Sequence, residues 1–129
     1  LQDSFSLPGQ NIRFQQSISR IVLPAEQLTI VALLITELTI NAFKHAFPEG
    51  EGLISVNLST EDKKVTLEFK DDGIGLNHQF QANQDGFYIL KSLLKQTNGT
   101  YSYDSTPNEG TRFTFTFLMD TTKPENALA

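Results

Sequence analysis

Two prolines and the stretch between them constrain this chain more than anything else in it. From Ala25 to Phe47, bracketed by Pro24 and Pro48, no glycine or proline interrupts the sequence, and apolar residues recur at intervals of three and four. That spacing predicts one long helix with an apolar side, stopped by "PEGEG" (Pro48 to Gly52). Such a side has to be buried against another layer, and the flanking segments supply one. "NIRFQQSI" (Asn11 to Ile18) reads as a short strand, while "LISVNLST" and "KVTLEFK" alternate with a period of two and put Val65, Leu67 and Phe69 on one face. Further on, "FYILKSLLKQT" reads as a second helix ended by Asn98-Gly99. "TYSYDS" and "TRFTFTFL" read as two strands joined through "TPNEG". Four or five strands with few helices predict an α+β fold, a two-layer sandwich with its sheet covered on one face.

Composition narrows the function classes. At 129 residues the chain is one domain by length, 39% hydrophobic and 19% charged, with ten phenylalanines to fill an interior. The net charge of −5 and the dispersed lysines and arginines argue against nucleic acid or an anionic membrane as the main partner. With no cysteine, thiol chemistry, disulfides and cysteine metal clusters are excluded, which fits a cytoplasmic placement. The longest apolar run, "LTIVALLI" (Leu28 to Ile35), is too short to span a bilayer. No secretory signal is visible and the chain begins at Leu1, so a fragment of a longer protein is the expectation. Residues 1–120 form the expected domain and 121–129 a polar tail.

Inside the long helix, "ELTINAFKHAF" sets Glu37, Asn41, Lys44 and His45 within roughly a quarter turn, at about 100° per residue. A solvated helix face is one reading. The other assigns chemistry: an asparagine oxygen suits a hard cation such as Mg²⁺, and a lysine suits phosphate oxygens. A carboxylate can orient or deprotonate a nucleophile, or hold a metal-bound water. Zinc on Glu37, Asn41 and His45 is disfavoured with two histidines and no cysteine in the chain. "DDGIG" follows the strand that ends at Lys70. It is either a tight turn that needs glycine or a site in which the Asp71 carboxylate accepts a hydrogen bond from an exocyclic amine, with Gly73 and Gly75 giving room for a ligand.

Together these motifs are far more specific than either alone. "LLITELTINAFKHAFPEG" resembles the N box, and "DDGIGL" the G1 box, of the ATP-binding domain of two-component sensor histidine kinases, within the GHKL or Bergerat-fold ATPase superfamily. The resemblance runs from roughly Ile12 to Phe117. It implies a Bergerat-type two-layer α/β sandwich, with a mixed, mostly antiparallel sheet and helices on one face. It also implies that Glu37 acts as general base or holds the attacking group. Asn41 would coordinate Mg²⁺ on the ATP phosphates, and Lys44 and His45 would reach phosphate or ribose. Asp71 would read adenine between Gly73 and Gly75, Gly86 would begin the phosphate-binding helix, and Thr111 would close the adenine pocket from a neighbouring strand. "NHQFQANQD", with His78 and Phe80, would be the ATP lid.

The implied cofactors are ATP and Mg²⁺. The implied partners are a dimerisation and phosphoacceptor helical domain of the same parent protein and a response regulator, with no nucleic acid and no membrane contact by this domain. The parent itself can be membrane-anchored. Because neither His45 nor His78 sits in a phosphoacceptor context, the fragment alone is not expected to phosphorylate itself.

The pattern departs from the family at the G2 box. "DGFYIL" keeps Gly86 but has Tyr88 where a second glycine is usual, and Asp85 adds negative charge beside the phosphate position. Backbone amides at a helix start hold phosphate only if the ligand comes close. Either Tyr88 points into the core and leaves a working site, or the phosphate end is damaged and the domain is a non-catalytic nucleotide-sensing or partner-binding relative. An anti-sigma-type serine kinase shares the N and G1 boxes, and the C-terminal strand pair disfavours it.

Overall fold

In this computed structural model the described residues are 2–6, 11–75 and 87–120; the side chains at 2–6, 45 and 87–90 lie outside the description. Along the chain come β1 (Gln2–Ser6), β2 (Asn11–Ile18), α1 (Ala25–His45), β3 (Glu51–Glu61), β4 (Lys64–Asp71), α2 (Phe87–Lys95), β5 (Thr100–Thr106) and β6 (Gly110–Leu118). The strands form one sheet of order β1-β2-β3-β4-β6-β5. Among the described residues only the β2–β3 pair is parallel, because α1 carries the chain back over the sheet between them; the other pairs are antiparallel. The mixed, mostly antiparallel sheet of an α+β fold is therefore present.

Among the described residues it has six strands rather than four or five. The extra strand, β1, reads QDSFS, too short and polar for a period-two signal. It pairs with β2, with Phe5 opposite Phe14.

One face of the sheet packs against helix. Ile54, Val56 and Leu58 of β3, Val65, Leu67 and Phe69 of β4, and Phe113, Phe115 and Phe117 of β6 are buried with Ile30, Val31, Leu34, Leu38 and Ala42 of α1 and Leu94 of α2. Alternate residues face the other way: Asn57, Lys70 and Arg112 are exposed, and Arg112 bridges Asp104 at 3.1 Å and Glu68 at 3.8 Å across three strands.

The stretch Ala25–Lys44 is long and apolar enough to cross a membrane by length and composition; Leu28–Ile35 is only part of it. Here one side of that helix forms the core of a sandwich, a role that passes the same test.

Turn chemistry sets the register. Asp62 and Lys63 both take left-handed φ angles, 53° and 68°, as a two-residue hairpin of the type that matches strand twist requires. At the end of α2, Asn98 is left-handed (φ 58°), and the Gly99 and Asn98 amides donate to the carbonyls of Leu94 and Lys95 at 3.1 and 3.0 Å. That is a helix stop with asparagine in the usual glycine role.

Candidate functional site

The site begins where β4 runs out. Val65, Leu67, Phe69 and Asp71 lie on the helix-covered side, so the strand alternation that buries three apolar side chains buries a carboxylate next. Asp71 is 5% exposed. Its Oδ1 accepts the Gly73 amide at 2.9 Å, and the backbone of Thr111, its register partner on β6, also hydrogen bonds to it. Burial raises its pKa above the ordinary 3.8; the Gly73 and Thr111 amides oppose that rise, and the neighbouring Asp72 charge adds a little to it.

Several tight contacts hold the Asp71 loop. A Cβ at Gly73 would collide with the carbonyl of Ala46, at the end of α1. That same carbonyl accepts the Ile74 amide at 3.0 Å, so the helix end and the loop are locked together. Asp72 turns outward and its carboxylate accepts the Leu53 amide at 2.7 Å, a bond an asparagine oxygen could also make. On the far side the Asn108 amide of the β5–β6 hairpin donates to Ile74 at 2.9 Å. Gly75 is left-handed (φ 86°), and a Cβ there would stand 2.8 Å from the Thr106 carbonyl.

Thr111 is 4% exposed, and its hydroxyl shares a 3.0 Å hydrogen bond with Ser105 of β5. Ser105 also donates to the Gly110 carbonyl at 3.3 Å. Asp71, Thr111 and Ser105 thus form a row across β4, β6 and β5, fixed by strand register. Gly110, at φ 119°, abuts this row: a Cβ there would collide with the Asp71 carbonyl. Sequence reasoning missed Ser105 and Gly110. Gly110 could have been found as the residue before Thr111 in "EGTRF"; Ser105 leaves no signal until β5 is paired with β6.

The long helix supplies the second set. Glu37 and Asn41 are half-buried and one turn apart, beside the buried line Leu34, Leu38 and Ala42, whereas Lys44 is exposed. The quarter-turn stripe is therefore graded: two groups at the edge of the core and one in solvent. The side chain of His45 lies outside the described residues, as do Gly86, the segment 76–86 that contains the expected lid, and the tail 121–129; the backbone of Tyr88 is helical but its side chain is not described. Among the described residues no group of three or more His, Asp or Glu side chains could hold a metal by itself.

A buried carboxylate, close-packed glycines around it and a polar helix edge are what the two boxes of the sequence require. Residues 27–121 match the family described as histidine kinase-, DNA gyrase B-, and HSP90-like ATPase. The chain belongs to this ATPase family. Its α+β sandwich is also similar to solved histidine kinases: the histidine kinase domain of the blue-light activated histidine kinase EL346 of Erythrobacter litoralis superposes with a TM-score of 0.77, at 18% identity, over 94% of this chain and 57% of that one. At that identity the likeness is one of fold.

Curated relatives of this ATPase domain fall into two kinds. The anti-sigma F factor of Bacillus subtilis is 25% identical over 112 residues, 76% of this chain and 74% of its own. The heme sensor protein HssS of Staphylococcus saprophyticus is 33% identical over 92 residues, 60% of this chain but only 20% of its own. Relatives of both kinds therefore match this chain, and the anti-sigma factor does so over more of it.

Proposed function

We propose that this domain binds Mg·ATP and presents its γ-phosphate to a histidine on a helical dimerisation domain of a parent sensor kinase. The observation that carries the nucleotide reading is the buried Asp71 carboxylate, held in place by the Gly73 and Thr111 backbone at the floor of the helix-covered side. A buried acceptor of this kind selects a ligand that offers an amino group, as adenine does, and rejects one that leaves it unpaired. The crowding at Gly73, Gly75 and Gly110 supports the same reading, since each places backbone where a side chain would obstruct this floor or shift the carboxylate.

The other assignments follow the helix. Asn41 would offer its amide oxygen to Mg²⁺, an ion that takes few protein ligands and otherwise keeps phosphate oxygens and water. Glu37, one turn earlier on the same edge, would orient or deprotonate the attacking group. Lys44 and His45 would contribute positive charge toward phosphate, and Gly86 would open the phosphate-binding helix. When bound, ATP supplies the phosphoryl group and Mg²⁺ neutralises its charge; the protein's part is positioning. A response regulator would be the downstream partner, with neither nucleic acid nor membrane touching this domain, and a cytoplasmic placement follows. In this reading residues 1–120 are the domain and 121–129 its tail.

A second reading has its own support. Anti-sigma F factors match over about three quarters of both chains, so a serine kinase acting on a partner protein uses the same site with another acceptor. Calorimetric titration with ADP and a non-hydrolysable ATP analogue, with and without Mg²⁺, tests what both readings share. Mg²⁺-dependent binding with Kd in the micromolar range supports it. Heat-silent titrations of a folded protein would point instead to a non-catalytic relative retained for partner contacts. Phosphotransfer to a supplied histidine-bearing dimerisation domain, against a supplied serine protein, separates the two kinases.

A further inference from the structure

The Asp71 row ends in two hydroxyls whose protons have a direction. Thr111 is 4% exposed, and a buried hydroxyl is costly without a hydrogen-bond partner. Among the described residues that partner is Ser105 of β5, at 3.0 Å. Each hydroxyl owns one proton and can also accept, so the contact by itself allows either to donate. The Gly110 carbonyl decides between them. A carbonyl only accepts, so Ser105 donates to it across 3.3 Å, and the proton between the two hydroxyls is then the one Thr111 owns. Ser105 takes part in a further interaction as well, and any other acceptor for its proton gives the same direction. The Thr111 proton is thus turned toward β5, away from Asp71 on β4, and each donation in the chain strengthens the next.

We infer that Ser105 is a positioning residue for base selection: it holds the Thr111 proton toward β5, so that Thr111 meets a ligand as a hydrogen-bond acceptor beside the Asp71 carboxylate. The inference rests on the nucleotide-binding reading and deepens it by naming the class of base. Two acceptors on register-paired strands suit a base edge that supplies hydrogens, such as the exocyclic amine of adenine, directly or through water. A purine with an oxo group in that place would bring a third acceptor to the two already there. Polar groups left unpaired in a buried site are what discriminate between such ligands. Without the Ser105 hydroxyl, Thr111 could turn its proton into the site and the oxo purine would be tolerated. β5 thereby acts on selectivity through Thr111, and strand register puts it there: Ser105 lies opposite Thr111 as Thr111 lies opposite Asp71.

The test titrates this chain with ADP and with inosine diphosphate, whose base carries an oxo group in place of the amine. The wild type should bind ADP more tightly. Ser105→Ala should narrow the ratio of the two affinities by about three- to tenfold, chiefly by improving inosine diphosphate. Ser105→Thr, which keeps a hydroxyl, should hold the wild-type ratio, and Ser105→Cys, a weak donor and acceptor, should narrow it. In a Thr111→Val background Ser105→Ala should change the ratio no further, since the proton it directs is gone. A residue that only joined β5 to β6 would lower both affinities together and leave the ratio alone. An unchanged ratio in Ser105→Ala and Ser105→Cys, with ADP still bound, would therefore overturn the role of Ser105 while the nucleotide-binding reading stands. Equal narrowing by Ser105→Thr would overturn it too. A folded wild type that binds neither nucleotide would overturn the nucleotide-binding reading and this inference with it.

Discussion

The two ends of the candidate site are built from different materials. The Asp71 end is made of strands. Asp71, Thr111 and Ser105 sit side by side because β4, β6 and β5 are in register, and backbone amides and glycine contacts leave the row little freedom. The Glu37 and Asn41 end is one edge of one helix, half-buried, with positions set by helical spacing alone. A sheet fixes groups by many cooperative hydrogen bonds between strands, whereas a helix edge fixes direction and leaves rotamer choice to the ligand. The first end should therefore tolerate no change of shape, and the second should tolerate change of shape but not of chemistry.

The largest expected effect tests that rigidity. Gly110→Ala puts a Cβ onto the Asp71 backbone at a φ of 119° and should destabilise the fold by about 3 kcal/mol, read as a lower denaturant midpoint. A shift within error would show that the row can relax, and would break the contrast between the two ends. Next, Asp71→Asn should cost about a hundredfold in ATP affinity and leave tripolyphosphate binding unchanged. Equal losses for both ligands would remove its base-reading role.

The same substitution sharpens the pH behaviour. Burial raises the Asp71 pKa in the folded protein, so the folded state holds this proton more tightly than the unfolded chain. The stability it contributes is present at low pH and is lost as pH rises from the unfolded value through the raised folded one. Stability curves of the wild type should therefore fall across that window relative to those of Asp71→Asn, and parallel curves would contradict the raised pKa.

At the helix end, Asn41→Ala should abolish the Mg²⁺ dependence of nucleotide binding, at a cost of about tenfold in affinity, while thermal stability barely changes. An unaltered Mg²⁺ dependence would end the metal role. The smallest effect belongs to the helix-free face. Arg112→Ala removes two exposed ion pairs and should cost under about 0.5 kcal/mol with no change in nucleotide affinity, as chemical denaturation and calorimetry would read it.

Much of this was legible in the chain. The helix from Ala25 was marked by its period and its flanking prolines, and it ends at His45, close to the expected Phe47. The strands β2 to β6 were marked by alternation and turn residues, within a few residues at each end. β1 was not, because five mostly polar residues carry no period. Asp71 was legible because a charged residue continues an alternating apolar strand, and its partner row was not, because register is a relation between distant segments.

What the sequence determined by itself, then, is local: the helix, the alternating strands, the glycine-bounded aspartate loop and the polar edge at Glu37 and Asn41, each written within a few residues of itself. The tertiary structure decided that Asp71 is buried rather than displayed, that Ser105 and Gly110 stand beside it, and that Lys44 remains in solvent while Asn41 is half-buried. These are facts about which surfaces meet. Desolvation and strand pairing, which give the carboxylate its raised pKa and its row of neighbours, come into being only when residues far apart in the chain are packed together.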